Sequence, residues 1–395
     1  MSTAEEIPAL SYILEPLHLH LFLLVVASLL TAGCLVNHRP GRLQNVVHAS
    51  KLLSNARPDH LPTFLGKQVR IPNTERFRRN ITSRFLAYFP FLLEVWYWLL
   101  TYWVYQLARA AQAVSMGANT RVLSEAHARA ILAIEVALGL DIEKALQEVV
   151  MKHDLLLRFF NKTYSMVHIP ATISFIGYSY WAFPAPIFQR VRRTLVLCNG
   201  LAFVIFSSWP CMPPRLLPFD EFGYVDTVHA GEAASIWTTN KVGITQECMN
   251  GDDFVDPPLP GQFQNQLAAF PSLHFGYSFV IGLSLFMYSP HRPVRWVALG
   301  YPVLILLIIM ATANHYLLDA VGGFFVTIIA YRVNHLLLYL RPLEEWGMWL
   351  CRTEKPLDKA IFEQALAESM VTAHENGGYA HDQVHLLSDD DLRQA

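Results

Sequence analysis

The sequence predicts an all-α, polytopic transmembrane helical bundle, on three observations. Of 395 residues, 53% are hydrophobic and only 16% charged, where ordinary soluble domains carry roughly 25% charge. Several apolar runs approach the roughly 20 residues that span hydrocarbon, and cations collect in alternate connections between them. Nine Trp, 16 Tyr and 24 Phe supply the aromatics that favour membrane interfaces. A formal charge of -2 gives no electrostatic reason to expect nucleic acid.

The first apolar run covers 17–36. It follows Glu5, Glu6 and Glu15 and has no basic n-region, so it reads as a retained helix rather than a signal peptide. Further spans are expected at 85–107, 166–184, 194–212, 273–288, 296–313 and 317–340, giving seven crossings. Ten Arg and Lys residues from Arg39 to Arg84 lie between the first two spans. Arg190, Arg192 and Arg193 lie between the third and fourth, Arg292 and Arg295 between the fifth and sixth, and Arg341 follows the seventh. Alternation puts all these groups on one side, which the positive-inside rule makes cytosolic.

Three regions follow. Residues 1–159 form an N-terminal membrane region with a basic cytosolic loop and a lumenal helical segment. Residues 160–343 form the main bundle, and 344–395 a polar cytosolic tail containing Gly377-Gly378 and Ser388-Asp389-Asp390-Asp391. The lumenal stretch 108–160 shows apolar residues at helical spacing around Ser124 to Glu135. A second helix is expected to start at about Asp141, with that residue near its cap. This stretch reads as an amphipathic packing or interfacial element. Connection 213–270 carries Asp220, Glu221, Asp226, Glu232, Asp252, Asp253 and Asp256 and a Pro-Pro-Leu-Pro turn; a loop this long in a compact bundle is commonly functional. The five cysteines, Cys34, Cys198, Cys211, Cys248 and Cys351, lack metal-ligand spacing, and Cys211 can pair with Cys248 if both lie in that loop. Asn161-Lys162-Thr163 is a glycosylation sequon on the expected lumenal side, so Asn161 is a candidate modification site.

Chemistry converges at three span ends. His315 and Asp319 are four residues apart and share a face if the chain there is helical. The carboxylate can then hold one imidazole nitrogen and leave the other free to attack phosphorus. His274 opens a different span and can serve in proton transfer. Ser272 sits at the same terminus, where orphan backbone N–H groups favour an anion. Arg215, after Met212-Pro213-Pro214, can clamp phosphate through two directed hydrogen bonds, and Asn314 can add a donor. Gly276, Gly322 and Gly323 read as close-packing positions.

At these residues the chain resembles the type 2 phosphatidic acid phosphatase (PAP2) superfamily, in its branch similar to fungal inositol phosphorylceramide synthase. Pro271-Ser272-Leu273-His274 resembles the second family signature, His315-Tyr316-Leu317-Leu318-Asp319 with Gly322 and Gly323 the third, and Pro213-Pro214-Arg215 a shortened first. The resemblance implies a PAP2-like catalytic core with His315 as nucleophile through a phosphohistidine and Asp319 as its orienting partner. His274 becomes the proton donor, Ser272 and Arg215 phosphate ligands, and neither metal nor other cofactor is required. It departs from the broader pattern where a usual Lys falls at Ser208 and a usual Arg at Ile309, so fewer cations meet the phosphate; Thr312, Asn314, Asn265 and Gln266 are the available hydrogen-bond donors. The expected activity is hydrolysis of an amphipathic lipid phosphate or isoprenoid diphosphate at an endomembrane (ER or Golgi) lumenal site. The alternatives are an inositol-phosphorylceramide-synthase-like lipid phosphotransferase, a prenyl-diphosphate-using terpene synthase, and a non-catalytic membrane scaffold or transporter.

Overall fold

The computed structural model of the chain describes residues 7–39, 60–63, 66–115, 118–228, 267–357 and 359. Its helices are α1 (Ile7–Val36), α2 (Ile81–Tyr88), α3 (Phe91–Ser115), α4 (Ala118–Leu138), α5 (Glu143–Met151), α6 (Asp154–Lys162), α7 (His168–Ala182), α8 (Ala185–Ser208), α9 (Leu273–Tyr288), α10 (Arg292–Ala311), α11 (Leu317–Val333) and α12 (Arg341–Leu350). A small antiparallel hairpin, β1 (His60–Pro62) with β2 (Gln68–Arg70), precedes α2.

Three helical stretches, Ala185–Ser208, Arg292–Ala311 and Leu317–Leu350, are long and apolar enough to cross a membrane. A fourth qualifies if α2 and the first 22 residues of α3, bent by 99° at their junction, count as one span. Near the expected spans at 17–36, 166–184 and 273–288 lie α1, α7 and α9. The sequence puts the start of α7 at 166; the chain there is already helical, because α6 runs through a π-helical turn, Thr163–Val167, into α7. Such turns recur at functional sites.

The bundle core is made where α7, α8 and α9 meet α3. Phe91, Phe175, Ile176, Phe183, Phe188, Leu195, Cys198, Tyr277 and Ile281 are buried there. Burying such side chains is the main favourable contribution to packing outside lipid; inside lipid, close fit takes over, and small residues permit it. A Cβ on Gly323 would stand 2.3 Å from the Ser272 carbonyl oxygen, and one on Gly322 2.5 Å from the Phe270 ring. The two glycines therefore let α11 lie against the start of α9. Backbone cannot swing aside as a ring can. Gly323→Ala is accordingly expected to cost about 1–3 kcal/mol by overpacking and Gly322→Ala distinctly less, a ranking that thermal unfolding in detergent reads directly.

The two ends of the bundle are fastened differently. At one end the Arg192 guanidinium of α8 donates to Glu94 of α3 at 2.5 Å, and Tyr97 donates to Glu344 of α12. The chain after α12 folds back here. Arg78 pairs with Glu354 at 2.9 Å, Arg39 donates to the Leu357 carbonyl at 2.6 Å, and Lys359 donates to the Tyr180 and Phe183 carbonyls at the end of α7. The expected boundary at 343/344 thus falls inside α12; Glu354 and Leu357 dock on the basic N-terminal region and Lys359 on the end of α7. The remainder of the tail, including Gly377-Gly378 and Ser388 to Asp391, lies outside the described residues.

The other end carries α4 to α6 and the turns before α9 and α11. Gly139, at a left-handed φ of +66°, closes α4: its N–H donates to the Val136 carbonyl and that of Leu140 to the Glu135 carbonyl, the pattern that ends helices on glycine. The next helix begins at Glu143 with Ile142 as its N-cap residue. Asp141 therefore lies next to the cap, as expected from sequence, without being the capping residue itself.

Candidate functional site

Helix α10 ends in a tight turn, Thr312-Ala313-Asn314-His315, before α11 begins. The N–H groups of Asn314 and His315 both donate to the Ile309 carbonyl, and Ala313 takes φ +51°, a conformation that costs a non-glycine residue of order 1–2 kcal/mol. The turn delivers His315 to the first turn of α11. Its Nδ1 lies 2.8 Å from the Ala269 carbonyl and 3.3 Å from Asp319 Oδ2. Both partners only accept, so in the neutral ring Nδ1 carries the proton and the lone pair sits on Nε2. Asp319 is fully buried, and its Oδ2 also accepts from the Tyr316 N–H at 3.0 Å.

His274, in the first turn of α9, places its ring 5.8 Å from that of His315. Tyr164 of the π-helical turn stacks on His274 at 4.7 Å, and His168 of α7 lies 5.0 Å away. Nδ1 of His168 is buried without a hydrogen-bond partner among the described residues. Tyr164 and His168 escaped the sequence reading because an aromatic and a histidine at an apolar helix start carry no distinctive spacing.

Arg215 comes to the same turn. Its N–H donates to the Ala313 carbonyl at 2.9 Å, its Nε to Asn314 Oδ1 at 2.8 Å, and its Nη1 to Asp226 Oδ2 at 3.2 Å. Asn314 Nδ2 in turn donates to Thr312, both at the carbonyl and at Oγ1. Asn314 therefore spends its amide on holding Arg215 and the turn. Ser272 is fully buried, and its Oγ accepts from the Phe275 N–H at a long 3.4 Å, so it caps α9; its own N–H donates to the Asp319 carbonyl at 2.9 Å. At the two departures from the family pattern, Ser208 donates back into its own helix and Ile309 is buried. Asn265 and Gln266 lie outside the described residues, as do Glu232, Asp252, Asp253, Asp256 and the Pro-Pro-Leu-Pro turn.

Two residues that the sequence reading left in an amphipathic packing element reach this site. Glu143 Oε1 accepts from the Leu317 N–H and Glu135 Oε1 from the Leu318 N–H, each at 2.7 Å. With Asp319 on Tyr316, three successive amides at the start of α11 each meet a different carboxylate. These are the donors a helix start leaves unpaired, and negative groups are favoured there. All three carboxylate residues are fully buried. The second oxygens, Glu135 Oε2, Glu143 Oε2 and Asp319 Oδ1, have no partner among the described residues. A signal was present: Glu135 interrupts Ala130-Ile131-Leu132-Ala133-Ile134 and Val136-Ala137-Leu138, an unusual place for a solvated acid.

Burial raises the Glu135 carboxyl to about 8, with Glu143 and Asp319 nearby adding to it, and burial likewise raises Glu143. The folded chain therefore holds a proton on Glu135 that the unfolded chain releases near 4.5. Between those values the folded state binds more protons, so this group's contribution falls as pH rises from about 4.5 to 8. The melting temperature in detergent is expected to decline across that window, and Glu135→Gln, which cannot ionise, to flatten part of the slope.

Asn161 is buried; its Nδ2 donates to the Thr227 carbonyl at 2.7 Å and its Oδ1 accepts from the Thr227 hydroxyl at 3.3 Å. This burial argues against a glycan at the sequon, because the amide ties α6 to the loop after Arg215. Cys211 is a buried free thiol, and Cys248 lies outside the described residues. Among the described residues no group of three or more His, Cys, Asp or Glu is arranged to hold a metal ion.

The PAP2 superfamily model matches residues 129–333, more than half of the 395-residue chain. The chain belongs to the PAP2 superfamily. Comparisons with curated proteins and with solved structures give no match. The matched segment starts just before Glu135 and ends with α11, so it takes in every residue of the cluster described above.

Proposed function

We propose that this protein is a membrane phosphohydrolase that cleaves a lipid phosphate or isoprenoid diphosphate through a phosphohistidine on His315. One observation carries the reading: His315 Nδ1 faces two acceptors, leaving Nε2 as the nucleophilic atom with the His274 ring 5.8 Å away. In the first half-reaction Nε2 of His315 attacks phosphorus, the bond to the leaving oxygen breaks, and His274 gives that oxygen its proton. Asp319 and the Ala269 carbonyl stabilise the charge that develops on the His315 ring. In the second, His274 takes a proton from water, the water oxygen bonds to phosphorus, and the P–N bond breaks. Arg215, held by Asn314 and Asp226, supplies positive charge to the phosphoryl oxygens.

The amphipathic substrate keeps its tail in lipid and presents its head at the end of the bundle bearing His274 and His315. That end lies opposite the cation-rich junctions, which supports a lumenal site in an endomembrane and the seven-crossing arrangement. The test is phosphate release by purified full-length protein in detergent with EDTA, from phosphatidate, a sphingoid phosphate and farnesyl diphosphate, with mass spectrometry of the organic product. Release of phosphate together with the dephosphorylated alcohol is the expected result. A cyclised or rearranged hydrocarbon would point to a terpene synthase. Product formed only after phosphatidylinositol and ceramide are added would replace water by a lipid acceptor. No product under any condition would favour a scaffold or transporter.

A further inference from the structure

We infer that Glu135 and Glu143 are positioning residues that hold the first turn of α11, and through it His315, from the peripheral helices α4 and α5. The inference rests on the reading of His315 as the nucleophile. Its starting point is geometric: the amides of Tyr316, Leu317 and Leu318, the three residues after His315, donate to Asp319, Glu143 and Glu135 at 3.0, 2.7 and 2.7 Å. The three acceptors come from three different helices. A carboxylate that accepts one short bond from a backbone amide fixes that peptide's direction far better than water does. The peptides so fixed are the second and third after His315 along the chain.

The surroundings explain why two glutamates can sit there. Both are fully buried, and their side chains come close enough to hydrogen-bond to each other once one is protonated. A proton shared between the unpartnered oxygens would satisfy both and leave the pair with one negative charge, which the start of α11 favours. The holders are themselves held. The glycine turn at Gly139 sets the α4–α5 angle, and Gln147, on the same buried face of α5 as Glu143, exchanges two hydrogen bonds with Val225 at 2.8 and 3.0 Å. That stitches the helix pair to the loop carrying Asp226, the partner of Arg215. One frame thus sets both the nucleophile and the phosphate-binding cation. Because the carboxylates occupy the first amides of α11, these amides are not open to the substrate phosphate.

The experiment compares Glu135→Ala, Glu143→Ala, their double variant and the corresponding Gln variants in the full-length protein in detergent. Gln keeps the Oε1 acceptor and can donate across the pair where the shared proton would have been. Hydrogen exchange of peptides containing residues 316–318 reads the contact, and kcat and KM on the best substrate read its consequence, each normalised to folded protein by thermal unfolding. The double Ala variant is expected to exchange faster at these amides and to lose about 10- to 100-fold in kcat, the scale of a displacement near 1 Å. KM should stay within about threefold, and Gln at either position should recover most of the loss. A kcat per folded molecule within about twofold of wild type in the double Ala variant overturns the inference. Should that variant fail to fold, the single variants decide: Gln variants as impaired as their Ala counterparts overturn it equally. If wild-type protein turns over no substrate, the functional reading fails on its own. Hydrogen exchange then judges the contact separately, and unchanged exchange in the Ala variants overturns it.

Discussion

His315→Ala is expected to lower phosphate release by roughly 10⁴- to 10⁶-fold, the scale seen when a covalent nucleophile is removed from a site whose members act as a unit. Among the described residues there is no substitute at this position. His274 opens a separate helix, and the other side chains around the His315 turn are committed: Asn314 to Arg215 and Thr312, Arg215 to Asp226. Because the His315 ring donates only to Ala269 and Asp319, its loss leaves the first turn of α11 pinned by its three carboxylates, and the variant should fold. The check is a pair of measurements on the same preparation. Turnover should fall to background, and the acid-labile phosphoryl label that wild-type protein acquires from a radiolabelled substrate should vanish. Turnover within tenfold of wild type would remove His315 from the nucleophile's role.

His274→Ala is expected to cost about 10²- to 10⁴-fold, the usual contribution of a positioned general acid, and the size should depend on the leaving group. With an alkyl or prenyl phosphate the departing oxygen is strongly basic and needs a proton. An aryl phosphate such as p-nitrophenyl phosphate departs without one, so the deficit should shrink there to within about tenfold. A loss equal for both substrates would instead mark His274 as a binding or packing residue. Its contacts with Tyr164 and His168 make that a meaningful alternative outcome.

The candidate cluster was legible wherever its residues lie close in sequence. The four-residue spacing of His315 and Asp319 became a shared helix face, as the period of the helix requires, and the prolines before Arg215 became a turn that carries it to the Ala313 carbonyl. The glycine pair became a contact surface, because the lack of a side chain has only a few physical uses. Glu135 and Glu143 were not read, for a reason that lies in their partners. A carboxylate that bonds a backbone amide 183 or 174 residues away leaves no complementary residue type to find, since every residue but proline offers the same N–H. Asn314 and Asn161 show the opposite relation. A polar side chain near a site or in a sequon suggests availability, but in the fold each amide is consumed by a neighbour.

The folding-back of the chain after α12 carries a consequence for how the protein is made. Arg39 meets the Leu357 carbonyl across 318 residues of sequence, and Arg78 meets Glu354 across 276. At about 5–20 residues synthesised per second, these early cations wait roughly 15 to 60 s for partners that do not yet exist. The end bearing His274 and His315 waits less, since Glu135 and Glu143 meet amides 183 and 174 residues away and everything from α4 to α11 has been synthesised before residue 354 is added. Synthesis therefore supplies every helix of the end bearing His274 and His315 before it supplies the segment that fastens the opposite end.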